Sequence, residues 1–316
     1  MSNTTLAPHV TGQIKDEART ALDKSFETFR QRRQAMANSQ PAGRNFTEAM
    51  LRTALKDEQI EKLRAENSRS TGRQLLATLR QNRYSNTTRK ITDAPAARAL
   101  TTRPFKVMDN HQFLMAEDSH LQVLGPPYAD QWTTQSQSGN AEVHGLFADR
   151  ETGNFGYFIG AADGSAACGA GVWAQFVPTR STQAQVRAYT PYNYQYDLDS
   201  QYGYTAHDDG GFGVFVLSWN FDGTGRFNDL DYRYSAWSDG TGWWEEHRNP
   251  GAPDPDSGNA FLYGSEAPYF NVSSDRVYRA CIWGFGSCDA GGGFFGNAVS
   301  ASDLNAAARF VVIGEQ

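Results

Sequence analysis

Apolar residues recur along this chain with two different periods, and the change from one to the other divides it. Over residues 11–37, Ile14, Ala18, Leu22, Phe26 and Phe29 follow one another at intervals of four, four, four and three. That is the stripe of an amphipathic helix, with Thr11 available as its N-cap. PAG at 41–43 breaks the pattern. Asn45 with Glu48 three residues on forms a capping box for a second helix to about residue 66, and Leu75, Leu76 and Leu79 mark a third over 71–84. These helices carry few large apolar residues, so the reading places them against the sheet region, a neighbouring chain or a larger assembly, with self-association as the expectation.

After the linker-like DAPAARALTTRP at 93–104 the period becomes two. Strands are predicted near 119–124, 142–149, 154–161, 166–177, 184–196, 202–207, 212–220, 228–237, 243–248, 276–284 and 305–314, with no helical segment between them. Such a succession predicts an antiparallel β-sandwich or jelly roll. Two Asp-Gly dipeptides read as hairpin turns. A turn at Asp209-Gly210 sets Tyr204 opposite Phe215 and Tyr202 opposite Leu217, with Tyr192, Tyr194 and Tyr196 extending the same aromatic face. A turn at Asp239-Gly240 sets Arg233 opposite Glu246 and Asp231 opposite Arg248, a register that pairs opposite charges. In that register Trp237 and Trp244 lie opposite the face of Tyr232 and Tyr234. The last run, NAAARFVVIGE, reads as a central or well-covered strand.

The expected organisation is therefore an α+β chain: a basic helical stem or docking region at 1–92, a linker and transition at 93–118, and an acidic, aromatic- and glycine-rich β-sandwich at 119–316. Charge sharpens the division. Residues 1–103 hold 19 Lys and Arg against 10 Asp and Glu, leaving 10 against 25 in the remainder, and all seven Trp fall after residue 103. Between Glu66 and Asp93 the charged residues are all cationic, Arg69, Arg73, Arg80, Arg83, Arg89 and Lys90. With Tyr84 the one aromatic there, this fits a solvated face or docking on the acidic half better than nucleic acid. The N-terminus lacks the pattern of a classical signal peptide, and no window carries the roughly 18 continuous apolar residues of a membrane helix. The expected location is cytoplasmic, or within a released or particle-associated assembly. Cys168, Cys281 and Cys288 stand at no metal-ligand spacing; Cys168 reads as a small buried hydrophobe, and the other two as free thiols.

No nucleophile elbow, Walker loop, HExxH or dinucleotide fingerprint is present. The candidate chemistry is correspondingly thin. Glu245 and His247 form a potential acid/base group, and Asp229 or Asp231 with Glu245 a potential glycosidase-like carboxylate pair. His207, Asp208 and Asp209 read as turn residues. Asp254 and Asp256 in PDPDSGN resemble half a Ca2+ loop, but Ser265 stands where an EF-hand needs its bidentate Glu. Trp237 and Trp244 beside Asp239 offer the ring-plus-carboxylate surface that stacks and hydrogen-bonds a sugar. The leading reading is a non-enzymatic recognition and assembly protein, its head binding a glycan or protein and its stem mediating oligomerisation or docking. The alternatives are a jelly-roll carbohydrate-active hydrolase or lyase, and a structural subunit of a phage or injection-type particle.

Overall fold

The structure is a computed structural model that describes residues 7–38, 120–200, 204–241, 246–249, 261–263, 268–291 and 298–316. Helix α1 (Pro8–Asn38) is followed by β1 (His120–Leu124), β2 (Asp130–Asp149), β3 (Asn154–Phe176), β4 (Thr182–Thr190), β5 (Tyr192–Ser200), β6 (Ala206–Asn220) and β7 (Phe227–Thr241). Then come β8 (Glu246–Asn249), β9 (Phe261–Tyr263), β10 (Phe270–Val272), β11 (Arg276–Ala290), β12 (Ala298–Ala307) and β13 (Phe310–Glu315). The second and third predicted helices, the basic run and the linker lie outside the described residues, which contain one helix.

Every strand pairing among the described residues is antiparallel. The smaller sheet runs β1-β13-β4-β10, with β9 also on β4, so the C-terminal strand is flanked on both edges as its apolar writing suggested. In the larger sheet β3 is the spine. One edge of it pairs with β2 along almost its whole length. On the other edge its C-terminal half takes β11 and its N-terminal half takes β12. Two arms leave it there, β11-β6-β7 and β12-β5-β8. The sandwich-like character expected from the sequence holds; this order of pairing does not establish a jelly roll.

The two predicted strands 154–161 and 166–177 are one strand, β3, with a defined irregularity between them. Asp163 takes a left-handed φ of 71°, facing Gly139 at φ 65°, and the β2 register shifts between Gly139 and Ala141. Such a bulge reverses the alternation of faces. Phe155, Tyr157, Ile159 and Ala161 enter the inter-sheet core before it, and Ala166, Cys168, Ala170 and Val172 after it.

That inter-sheet core draws on both sheets, including Val186, Val311 and Ile313 of the smaller one. The opposite face of the β11-β6 arm is covered by α1. Val10, Ile14, Ala18, Leu22 and Phe26 are buried there against Trp132, Trp173, Phe215, Leu217, Trp219, Trp283 and Phe285. The stripe read from the sequence therefore finds its partner within the chain, which removes the first helix's apolar face as a driver of association. Each of the larger side chains contributes about 1.5–3 kcal/mol by burial, more than the polar contacts along the helix. Those contacts fix its placement: Glu17 accepts from Trp219 Nε1 at 2.9 Å, Asp23 from Trp132 Nε1 at 2.9 Å, and buried Asp130 receives Lys15 at 3.0 Å and Arg19 at 3.1 Å. The helix begins three residues before Thr11, at Pro8, whose missing N–H costs nothing in a first turn. Thr11 sits inside it, its hydroxyl donating to the Ala7 carbonyl at 3.3 Å.

Because sheets on one side and a helix on the other cover β6 and β11, both strands are buried along almost their whole length, with unbroken apolar and glycine runs over residues 210–217 and 280–286. No helix among the described residues is long and apolar enough to cross a membrane.

Candidate functional site

Neither Asp-Gly dipeptide is a turn. Asp209-Gly210 lies inside β6, and Asp239-Gly240 inside β7, where the two segments pair with each other: Asp208 with Asp239, His207 with Gly240. The glycines serve close approach instead. A Cβ on Gly210 would stand 2.1 Å from Cζ2 of Trp237, and one on Gly213 would stand 2.2 Å from Nε1 of Trp283, so each glycine is the floor on which an indole lies. With no turn at 209–210, Tyr204 and Phe215 fall on opposite faces of the arm, Tyr204 in the inter-sheet core and Phe215 under α1. Nor does β5 lie beside β6; it pairs with β12 and β8.

The two arms of the larger sheet meet around Asp208. Its Oδ1 accepts from Trp237 Nε1 at 2.7 Å, and its Oδ2 from the Cys288 thiol at 2.8 Å and the Ser300 hydroxyl at 3.1 Å. Ser300 belongs to the β12 arm and the other two to the β11-β6-β7 arm. Tyr194 of β5 stacks on Trp237 at 4.4 Å between ring centroids, and Tyr196 donates to Asp239 at 2.9 Å. Asp208 is 1% exposed, and burial pushes its carboxyl up to about 7 against the opposing pull of its Cys288, Trp237 and Ser302 hydrogen bonds. Burial likewise holds the Cys288 and Cys168 thiols well above the ordinary range, which leaves them un-ionised. Cys281 points to the α1 side, so it and Cys288 occupy opposite faces of β11 and both are free.

Asp209, next in sequence, faces the helix side, where it pairs with Arg33 of α1. Burial raises its carboxyl to about 6, with Arg33 pulling the other way. Asp289, also raised chiefly by burial, lies near both Arg33 and His207.

Strand β7 carries two bulges, and they decide what its candidate residues do. The first leaves Asp229 as the extra residue between the pairs Val216–Leu230 and Leu217–Asn228; the second falls at Ala236, between Gly210–Trp237 and Gly211–Ser235. Through the second, Trp237 joins the side of Tyr232 and Tyr234 in the inter-sheet core and is only 6% exposed. It is not the exposed platform expected from strict alternation. The first bulge turns Asp229 and Asp231 to opposite faces. Asp229 is half-buried, hydrogen-bonded to Ser218 and raised by burial, whereas exposed Asp231 accepts from Ser25 of α1 at 2.6 Å and from Arg233 at 3.2 Å.

The predicted β7–β8 hairpin does not form. β8 pairs with β5, placing His247 across from Leu198 and Arg248 across from Asp197, so Arg233–Glu246 and Asp231–Arg248 are not cross-strand pairs. Trp244, Glu245, Asp254 and Asp256 lie outside the described residues. Among the described residues, no group of three or more His, Cys, Asp and Glu side chains is arranged to hold a metal ion.

Between α1 and β7 runs a groove of about 500 Å3. Among the described residues, Lys24, Arg32, Arg226 and Arg233 line it with a single carboxylate, Asp231. Nothing in the linear sequence signals it, because its cations come from a helix and from a strand with its preceding turn, some two hundred residues apart.

No protein family's sequence pattern matches this chain, and no curated protein does. Among solved structures, a chain of "Structure of infectious bursal disease virus Gx strain" aligns at 10% identity and a TM-score of 0.15, over 62% of this chain and 42% of that one. This chain thus spans less than half the length of that one, and a likeness of this size carries no argument about fold or function.

Proposed function

We propose that this chain is a non-enzymatic recognition and assembly protein whose helix-strapped β head binds a partner through its surface. One observation carries the reading. The most strongly perturbed carboxylate among the described residues, Asp208, spends both oxygens on the side chains that join the two arms, while the groove between α1 and β7 presents polar groups outward. Perturbed, buried groups in a catalytic cleft converge on open space; here they converge on each other, as structural networks do.

The test is to expose the full chain to a glycan array and then assay every retained glycan for change in mass. Binding without turnover is the expected result. Fragments that disappear with Asp231→Asn or Glu245→Gln would replace this reading with the hydrolase or lyase.

A further inference from the structure

We propose that the groove between α1 and β7 is a binding site for an acidic glycan, one that carries uronate or sulfate groups among free hydroxyls. The inference rests on the binding-protein reading above and names the ligand class.

The groove's volume of about 500 Å3 lies within the roughly 300–1,000 Å3 of small-ligand sites. Among the described lining residues stand four cations and one carboxylate, in a chain of net charge -6, and two of the cations, Arg226 and Arg233, come from the strongly acidic residues 104–316. Lys24, Arg32 and Arg226 are exposed and form no ion pair among the described residues, Arg226 acting on the Glu17 carboxylate only at longer range, so their charges are available to an anion. Arg233 is already engaged, donating to the Ser25 carbonyl at 3.1 Å and spanning the rings of Phe29 and Trp283, and it stiffens the floor.

The bulge at Asp229 supplies an independent pointer. By inserting one residue it brings Asn228 and Asp231, three apart in sequence, onto the groove side, which regular alternation forbids. The contacts Asp231 makes use Oδ2, leaving Oδ1 and the Asn228 amide beside the three cations. Cations with an amide and a carboxylate acceptor match a sugar acid, whose anionic group takes the guanidinium or ammonium and whose hydroxyls donate to Asp231. A phosphodiester strand fits less well, since the one aromatic among the described lining residues, Phe215, is 1% exposed and offers no face for stacking bases.

The experiment is calorimetric titration of the full chain with an oligogalacturonate, a sulfated dextran oligosaccharide and a neutral dextran oligosaccharide, with oligo-dT and polyglutamate alongside. The expected result is binding of one or both acidic glycans, weakened by salt, and none of the neutral one; the uronate and sulfate arms tell which anion is preferred. Replacing Lys24, Arg32 and Arg226 together by Ala should lower affinity about tenfold or more at unchanged melting temperature, and Arg32→Lys should retain most of it. Arg150→Ala, on an exposed turn elsewhere, should leave binding unchanged. No acidic-glycan binding, or binding indifferent to the triple substitution, overturns the proposal. Should the triple variant fail to fold, the same comparison is made on Arg32→Ala alone: weakened binding upholds the site and unchanged binding overturns it. Preference for oligo-dT or polyglutamate through these residues overturns the glycan assignment. Cleavage of bound oligogalacturonate, read as new reducing ends, upholds the site and overturns the non-enzymatic reading.

Discussion

Trp237 donates its indole N–H to Asp208 at 2.7 Å while its ring lies on Gly210, two residues further along the same strand as its acceptor. The relationship explains why an Asp-Asp-Gly-Gly stretch stays extended. The glycine leaves space for the ring, and the ring in turn provides a donor for a carboxylate that has no access to water.

Trp237→Ala should therefore destabilise the fold by about 3–5 kcal/mol, the cost of an emptied aromatic site plus an orphaned acceptor. Trp237→Phe should recover much of the packing but not the hydrogen bond. Urea unfolding monitored by circular dichroism measures both; a near-unchanged midpoint for Trp237→Ala would mean that the ring is exposed.

Asp208 gives stability a pH dependence with a definite sign. Its carboxyl holds a proton up to about pH 7 in the folded chain, against 3.8 as the ordinary value. Unfolding releases that proton between these limits, so this group's contribution is fully present below about pH 4 and is lost as pH rises through 7. Asp208→Asn is neutral at every pH. The stability of the native chain relative to that variant should fall by roughly a few kcal/mol between pH 4 and pH 8. A difference that stays flat, or grows with pH, contradicts the burial of this carboxyl.

Gly210→Ala and Gly213→Ala each place a methyl inside an indole, and overpacking of this kind costs about 1–3 kcal/mol. Thermal melts read the loss, and near-ultraviolet circular dichroism reads the displaced tryptophan. Full native signal and stability in both variants would show that the rings lie elsewhere.

What the sequence made legible, and what it hid, divides along physical lines. The stripe of Ile14, Ala18, Leu22 and Phe26, the mainly antiparallel strands and the well-covered C-terminal strand were readable because period and apolarity are local properties of the chain. The dipeptides at 209–210 and 239–240 misled because a glycine needed for positive φ and a glycine needed under an aromatic ring look identical in sequence. Two bulges in β7 undid the face assignment of Trp237 and put Asp229 and Asp231, the alternative partners read for Glu245, on opposite faces, since each inserted residue reverses the alternation. The groove was invisible altogether, being assembled from α1 and β7.

Asp130 is the polar anchor of the helix, buried between Lys15 and Arg19. Asp130→Ala should cost about 3 kcal/mol, because the helix cations and the buried Arg279 beside it all lose their counter-charge. Arg150→Ala, which breaks an exposed pair with Glu151, should cost less than about 1 kcal/mol. Equal effects in denaturant unfolding would refute the anchoring role.

A helix-strapped head requires α1 to be an interior layer of its own chain. Hydrogen exchange of the backbone amides of residues 14–29 in the full chain, followed at two protein concentrations, tests this directly. Protection comparable to that of β11, unchanged by dilution, is the predicted result, since the apolar stripe is covered by Trp132, Trp219 and Trp283 of the same molecule. Rapid exchange throughout the helix, or protection that fades on dilution, would show that its partner is another chain.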